Sequence, residues 1–419
     1  MLIAFFKRML VIMLNRPELL APAGNMEKLK VAVVYGADAV YLGGQRYGLR
    51  TGSDNFTLEE MAGAVAFAHG RKVKVYVTVN IFAHNRDFRG LSEYVGALEE
   101  MGVDGIIVAD PGIFQLVRTE APGVPVHLST QANTTNALSA AFWEAQGVSR
   151  IVLARENSLD EIREIREKVG VGLEVFIHGA MCISYSGRCL LSKYMTGRDA
   201  NLGDCSHSCR WRYHLTEEKR PGQFFPVMED GRGTYILSSR DLCLLSHLSD
   251  LAGGGVDSFK IEGRVKSVHY VATVVKVYRE AIDRMMENPG GFQVDNRWLR
   301  ELGKVSNRDY TTGFLSGDGV LSGHGDVQGI YNRNCSFVGM VRGYHPDRGV
   351  MEVEQRNRFF RGETLELLRP SGPVEHLYVS HLTDQEGNAV DSAPHPCQIL
   401  YIPTETPVEE YSMLRRLEK

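Results

Sequence analysis

Eight short β-rich apolar runs recur along the first two thirds of the chain: Leu19–Gly24, Ala39–Gly44, Val73–Asn80, Gly105–Asp110, Val126–Thr130, Ile151–Arg155, Leu173–Gly179 and Asp257–Gly263. Turns with Gly or polar residues follow them. Helical patterns such as Asn25–Tyr35, Leu58–His69, Leu91–Met101, Asn136–Gln146 and Leu159–Val169 lie between. Helices placed after parallel strands form βαβ crossovers, and eight such units predict a (β/α)8 TIM-like barrel of α/β class. An open doubly wound sheet is the alternative. The count of eight, and the lack of a G-x-G-x-x-G loop after the first run, favour the barrel.

The spacing breaks once. The helix before the eighth run is expected to begin near Asp241, in DLCLLSHLSDLAG, which leaves about 60 residues inserted in the seventh βα loop. Catalytic groups of this fold sit at the C-terminal strand ends, on the βα loops. The largest insertion is therefore where function is sought. Beyond the helix Val268–Met286, the Gly- and Ser-rich stretch Gly313–Val327 reads as a linker. The tail alternates differently, in runs Phe337–Arg342, Val350–Gln355, Thr364–Leu368, His376–His381 and Gln398–Ile402, and predicts a small all-β C-terminal domain. The expected layout is an extension 1–16, a barrel 17–312 with a Cys-rich insertion 179–241, a linker 313–328 and a β domain 329–419.

A chain of 419 residues with 43% hydrophobic and 23% charged residues is neither disordered nor collagenous. No apolar run reaches the roughly 18 residues of a membrane span. The charge balance, 47 − 51 = −4, advertises no nucleic acid, although local patches rather than net charge bind phosphates. MLIAFFKRMLVIML faintly resembles a signal peptide, but its apolar run Met9–Leu14 is short, and cleavage after Ala21-Pro22-Ala23 would remove the first strand. Met13 as the natural start and a cytoplasmic location are expected.

Five of the seven cysteines cluster: Cys182, Cys189, Cys205, Cys209 and Cys243, spaced C-x6-C-x15-C-x3-C-x33-C. No zinc knuckle or ferredoxin run has that spacing. Three readings stand: an iron–sulfur cluster, whose firm demand is about four thiolates, a structural zinc, or free or catalytic thiols. Cys335 and Cys397 read as ordinary small buried residues.

The segment EVFIHGAMCISYSGRCLLS resembles the signature of peptidase family U32, and ELLAPAGNMEKLKVAVVYGADAVYLGG, GDCSHSCRWRY and FKIEGRVKS extend the match. The family was named for collagenase-like peptidases. The resemblance implies an oxygen-independent hydroxylase with a [4Fe–4S] cluster, closest in layout to the branch that forms 5-hydroxyuridine at the tRNA wobble position with prephenate as hydroxyl source. Other members act on ribosomal RNA or a small aromatic substrate. Carried over, the ligands are Cys182, Cys189, Cys205 and a fourth, Cys209 or else Cys243. tRNA is the implied partner, with a second U32-family subunit beside it.

A peptidase needs an activated nucleophile or a metal-bound water. Neither G-x-S-x-G nor H-E-x-x-H occurs, but His178 lies four residues before Cys182, so a Cys–His pair stays open. A donor with two carboxylates calls for cations: Arg155, Lys260 and Arg264 stand at strand ends. Asn80, Asp110, Gln131, Asn133, His178 and Glu262 are candidates to hold the base and move its proton, or simply to cap helices. His178, Glu262 and Lys260 are assigned the catalytic roles. Lys260 should point into the barrel, with Glu262 as its carboxylate partner. The run Cys209–Tyr213 interleaves Arg210 and Arg212 with Trp211 and Tyr213, a pattern that clasps phosphates and stacks a base, or else packs against the barrel. Gly43-Gly44, near Arg50, Asn55 and Phe56, permits close approach to a ligand or forms a tight turn.

Overall fold

The computed structural model describes residues 15–48, 54–182, 184–185, 188–211, 214–217, 220–226, 240–308, 310–317 and 334–418. Most of the linker stretch, Arg50, Arg212, Tyr213 and Met13 lie outside the described residues.

The runs become β1 (Glu18–Pro22), β2 (Ala39–Gly43), β3 (Lys74–Val79), β4 (Gly105–Val108), β5 (Val126–Leu128), β6 (Arg150–Val152) and β7 (Gly172–Ala180), each paired in parallel with the next. A hairpin in the insertion, β8 (His214–Glu217) and β9 (Arg220–Pro226), stands apart as its own sheet. The eighth barrel strand is β11 (Ser258–Ile261), which pairs in parallel with both β1 and β7 and so closes the cylinder. Leu20 sits in register with Lys260 on one side and Ala39 on the other. The expected (β/α)8 barrel is what the chain forms.

Side-chain alternation divides the core in two. The outward faces of the strands pack against the helices in one large apolar cluster. Inside, Leu20, Ala39, Tyr41, Tyr76 and Ile107 form a separate small cluster. The helices start where caps direct: Thr57 and Ser158 close capping boxes with Glu60 and Glu161. Asp110 accepts from the backbone N–H of Gly112 and Ile113, so it is a cap, ahead of the helix Pro111–Glu120.

The helix expected near Asp241 begins later, at Leu248. Asp241–Cys243 is instead a strand, β10, antiparallel to the end of β7, with Cys243 opposite His178, and parallel to the two-residue strand β12 (Tyr310–Thr311). Asp241 is held there by Arg308, whose guanidinium donates at 2.8 Å, both side chains being buried. The C-terminal sheet has six antiparallel strands in spatial order β16-β15-β18-β13-β14-β17: β13 (Cys335–His345), β14 (Val350–Gln355), β15 (Thr364–Leu368), β16 (Glu375–Tyr378), β17 (Ile399–Pro403) and β18 (Met413–Leu417). The last was not expected, because Arg415 and Arg416 mask its pattern. Arg415 is nonetheless fully buried, bonded to Glu301 and Glu366. That places a salt-bridge network between barrel and tail. Tyr35 reinforces it by donating across the same junction to the carbonyls of Leu368 and Tyr411. Cys335 is half-buried, while Cys397, against expectation, is exposed at a left-handed backbone position.

Candidate active site

A cavity of about 650 Å³ opens at the C-terminal mouth of the barrel. Its lining draws on nearly every strand end. Asn80 follows β3, Ser129–Gln131 follow β5, Arg155 follows β6, and Lys260, Glu262, Arg264 and Lys266 belong to β11 and the loop after it. The insertion contributes Cys182, Cys189, Cys205, Cys209, His207 and Trp211 to the same cavity.

The insertion holds its cysteines on a small knitted frame. A helix, Leu191–Thr196, and two 3-10 turns, Ala200–Leu202 and Ser208–Arg210, are joined by Ser192, whose hydroxyl donates to the Arg198 carbonyl at 2.8 Å and accepts from Ser206 N–H at 2.9 Å. Asn201 donates to the Cys189 carbonyl at 3.1 Å, and Cys205 Sγ accepts from the His207 N–H at 3.4 Å. All seven cysteines are free thiols. The donor set, four cysteines among the residues lining one cavity, fits an iron–sulfur cluster in kind and number. Among the described residues, no three Cys, His, Asp or Glu side chains are yet gathered into a metal-holding shell.

Cys243, the other candidate ligand, is not on the cavity. It is buried against the Tyr278 hydroxyl at 3.6 Å, and burial pushes its thiol pKa up, which disfavours the thiolate. His178 is also outside the cavity. It lies fully buried behind β7, among the rings of Tyr270, Tyr278 and Tyr310. The Tyr278 hydroxyl donates to the Ile177 carbonyl at 3.0 Å, so its oxygen accepts from His178 Nδ1 at 3.3 Å. Nε2 accepts from no described group. Burial lowers the His178 pKa to about 3, which makes it a neutral packing residue rather than a base poised near neutrality.

Lys260 does point into the barrel, but its carboxylate partner is Glu174, not Glu262. Glu174 is wholly buried on β7 and accepts from Lys260 Nζ at 2.7 Å, Arg150 at 3.1 Å and the Ser258 hydroxyl at 3.1 Å. Burial alone would raise its pKa, but Lys260 and Arg150 outweigh burial and hold it at about 2. Arg150 also reaches Glu18 at 2.6 Å, so the cylinder is plugged by an ionic lattice beneath the cavity. Lys260 stands 4.6 Å from the centre of the Tyr41 ring. The sequence signal for Glu174 was a lone carboxylate within the apolar run Leu173–Gly179.

Arg155 donates to the Ala180 carbonyl at 2.9 Å and lies 4.0 Å over the Phe176 ring. Arg264 is buried, bonded to Asn55 and to the Thr78 hydroxyl. Its guanidinium explains the first glycine of the pair, and the Tyr94 hydroxyl explains the second. A Cβ on Gly43 would fall 2.4 Å from Arg264 Nη2, and one on Gly44 would fall 2.4 Å from the Tyr94 hydroxyl. What approaches the backbone is a side chain of the site, not a ligand. Asn133 is a left-handed turn residue whose amide donates to the Gln131 carbonyl at 3.3 Å, and it does not line the cavity. Arg210 closes the turn Ser208–Arg210, and Trp211 sits half-exposed on the cavity rim. Tyr185, Leu190 and Tyr194 add an exposed apolar face to the insertion. None of the described helices is long and apolar enough to cross a membrane.

Residues 24–349 match the profile of peptidase family U32, and residues 333–415 match its C-terminal domain. The chain is 46% identical over 402 residues to tRNA hydroxylation protein P1 of Bacillus subtilis, covering 96% of this chain and 95% of that one. It is 36% identical to tRNA hydroxylation protein P of Escherichia coli, covering 96% and 97%. The 23S rRNA 5-hydroxycytidine C2501 synthase of Escherichia coli is 38% identical over 276 residues, covering 66% of this chain and 41% of that one.

Proposed function

The chain belongs to peptidase family U32, and on that premise we propose that it is an oxygen-independent RNA hydroxylase. It forms 5-hydroxyuridine at the tRNA wobble position in the cytoplasm, with prephenate as hydroxyl donor and a [4Fe–4S] cluster at the cavity wall. The relatives named for tRNA and rRNA hydroxylation support the reaction class. The observation that carries the reading is the meeting of two groups on one cavity: four insertion cysteines, and the cations Arg155, Lys260, Arg264 and Lys266.

Cys182, Cys189, Cys205 and Cys209 would hold the cluster. When bound, the cluster supplies redox-active iron at the cavity wall. The protein's own groups do the rest. Arg155 and Arg264 present planar forks to the donor's carboxylates. Lys260, fixed by Glu174, is a positive floor, and Glu262 is the cavity's candidate proton acceptor. Trp211 offers a stacking face to a nucleotide base turned out of its loop.

The peptidase reading drawn from the sequence rests on a Cys182–His178 pair. His178 lies behind the sheet with its proton on Nδ1 bound to Tyr278, away from the cavity that Cys182 lines. The test is twofold. Purified without air, the protein should carry about four irons per chain. A deletion strain should lack 5-hydroxyuridine in digested tRNA, and the intact gene should restore it. Full activity in iron-free protein refutes the cluster. Modification lost on deletion but absent from the lone purified chain assigns it the role of one subunit beside a second U32-family protein.

A further inference from the structure

Gln131 is more than nine-tenths buried, lines the cavity, and carries a carboxamide oxygen that accepts from no described group. Such an orphan is costly unless something enters to meet it. Its backbone is pinned on both sides: its N–H donates to the Ser129 hydroxyl at 3.4 Å, and its carbonyl accepts from Asn133 at 3.3 Å. The side chain therefore projects from a fixed base. Asn80 donates to the same Ser129 hydroxyl at 3.3 Å. In the ring of strands, β3 stands opposite β7, and β5 is two strands from β7. The cavity thus has an uncharged amide wall on the β3–β5 side. The cations Arg155 and Lys260 lie on the β6–β11 side, with the cysteines entering after β7, while Arg264 reaches across to Thr78 of β3 and to Asn55.

We propose that Gln131 reads the O2/N3 edge of the target base and selects uracil over cytosine. This deepens the hydroxylase reading and rests on it. The O2/N3 edge of uracil presents one acceptor and one N–H donor, which a carboxamide meets with its NH2 and its oxygen. The same edge of cytosine presents two acceptors, so one of them is left facing the carboxamide oxygen. A site built to pair a donor rejects the analogue lacking it. The geometry of the ring completes the argument. C5 lies across the ring from C2, so a base gripped by O2 and N3 on the amide wall turns C5 toward the cations and cysteines.

The experiment uses holoprotein and tRNA transcripts carrying either uridine or cytidine at the first anticodon position, with prephenate present. Hydroxylated nucleosides are counted by mass spectrometry, and iron content and tRNA affinity are measured alongside. Gln131→Met should lower the uridine rate about tenfold or more, leave the cytidine rate nearly unchanged, and preserve iron and tRNA affinity. Gln131→Glu, which keeps an acceptor for N3–H, should retain more of the uridine preference than the Met variant. A uridine-to-cytidine ratio unchanged in Gln131→Met, in a protein whose parent hydroxylates uridine, overturns this inference alone. No hydroxylated pyrimidine from the parent, even with a second U32-family subunit supplied, overturns the proposed function and this inference together.

Discussion

Lys260 Nζ lies 2.7 Å from Glu174 Oε1, and both side chains are sealed inside the barrel. The pair fixes the cavity floor. Breaking a buried pair leaves an uncompensated charge, whereas replacing both partners by neutral groups is far less costly. Glu174→Gln should therefore destabilise the protein by about 3–5 kcal/mol at pH 7.5, and adding Lys260→Met should restore much of that loss. Urea unfolding of the two variants measures both. A double variant less stable than Glu174→Gln would contradict the pairing.

Among the described residues, three histidines are buried neutral. His127, His178 and His269 all have pKa values lowered to about 3, chiefly by burial. The unfolded chain binds these protons near the ordinary value of 6.5, so it holds more protons than the folded one below that pH. The stability they contribute is fully present above 6.5 and is lost as pH falls toward the folded value. Each should remove on the order of 2 kcal/mol between pH 7.5 and 5. Urea midpoints at the two pH values test this, and His178→Gln should flatten the dependence by about one proton.

The cysteines should divide into two groups. Cys182, Cys189, Cys205 and Cys209 line the cavity, whereas Cys243 hydrogen-bonds with Tyr278 in the core. Ser at any of the first four should lower iron content sharply and abolish tRNA modification. Cys243→Ser should keep its iron and lose only about 1 kcal/mol of stability, because a hydroxyl can still meet Tyr278. Iron loss in Cys243→Ser equal to that in Cys209→Ser would move the fourth ligand to the core position.

The barrel was legible because its strands are buried on both faces and read as apolar runs. The cavity was legible because the spacing broke at one βα loop, and Asn80, Gln131, Arg155, Lys260, Glu262 and Arg264 indeed line it. What escaped was orientation. Lys260 and Glu262 are two apart on one strand end, which invited pairing, yet the pair forms across strands, with Glu174 reached through the β7–β11 register. His178 is next to Gly179 in an apparent site motif, but its ring is outside the cylinder. Only closure of the sheet decides which face each residue takes. The strand Met413–Leu417 was hidden for a related reason: a charged residue such as Arg415 enters a core only when its partners, Glu301 and Glu366, arrive from distant segments.

Gly43 supplies the sharpest test of Arg264 as a donor-binding cation. Its backbone is ordinary strand, so alanine costs nothing there in conformation and gains a little by restricting the unfolded chain. The new methyl group would nonetheless fall 2.4 Å from Arg264 Nη2 and 2.8 Å from both Nη1 and the Thr78 hydroxyl. The far end of the arginine can yield only by giving up its hydrogen bonds to Asn55 and Thr78, so the protein should fold with a somewhat lower thermal midpoint. The displaced guanidinium would no longer face a carboxylate with both its N–H groups, a loss worth about tenfold or more in affinity for a charged hydrogen-bond partner. Gly43→Ala should therefore raise the KM for prephenate by at least about tenfold, with iron content and tRNA affinity retained. An unchanged KM would take Arg264 out of donor binding and leave it as a brace between Asn55 and Thr78.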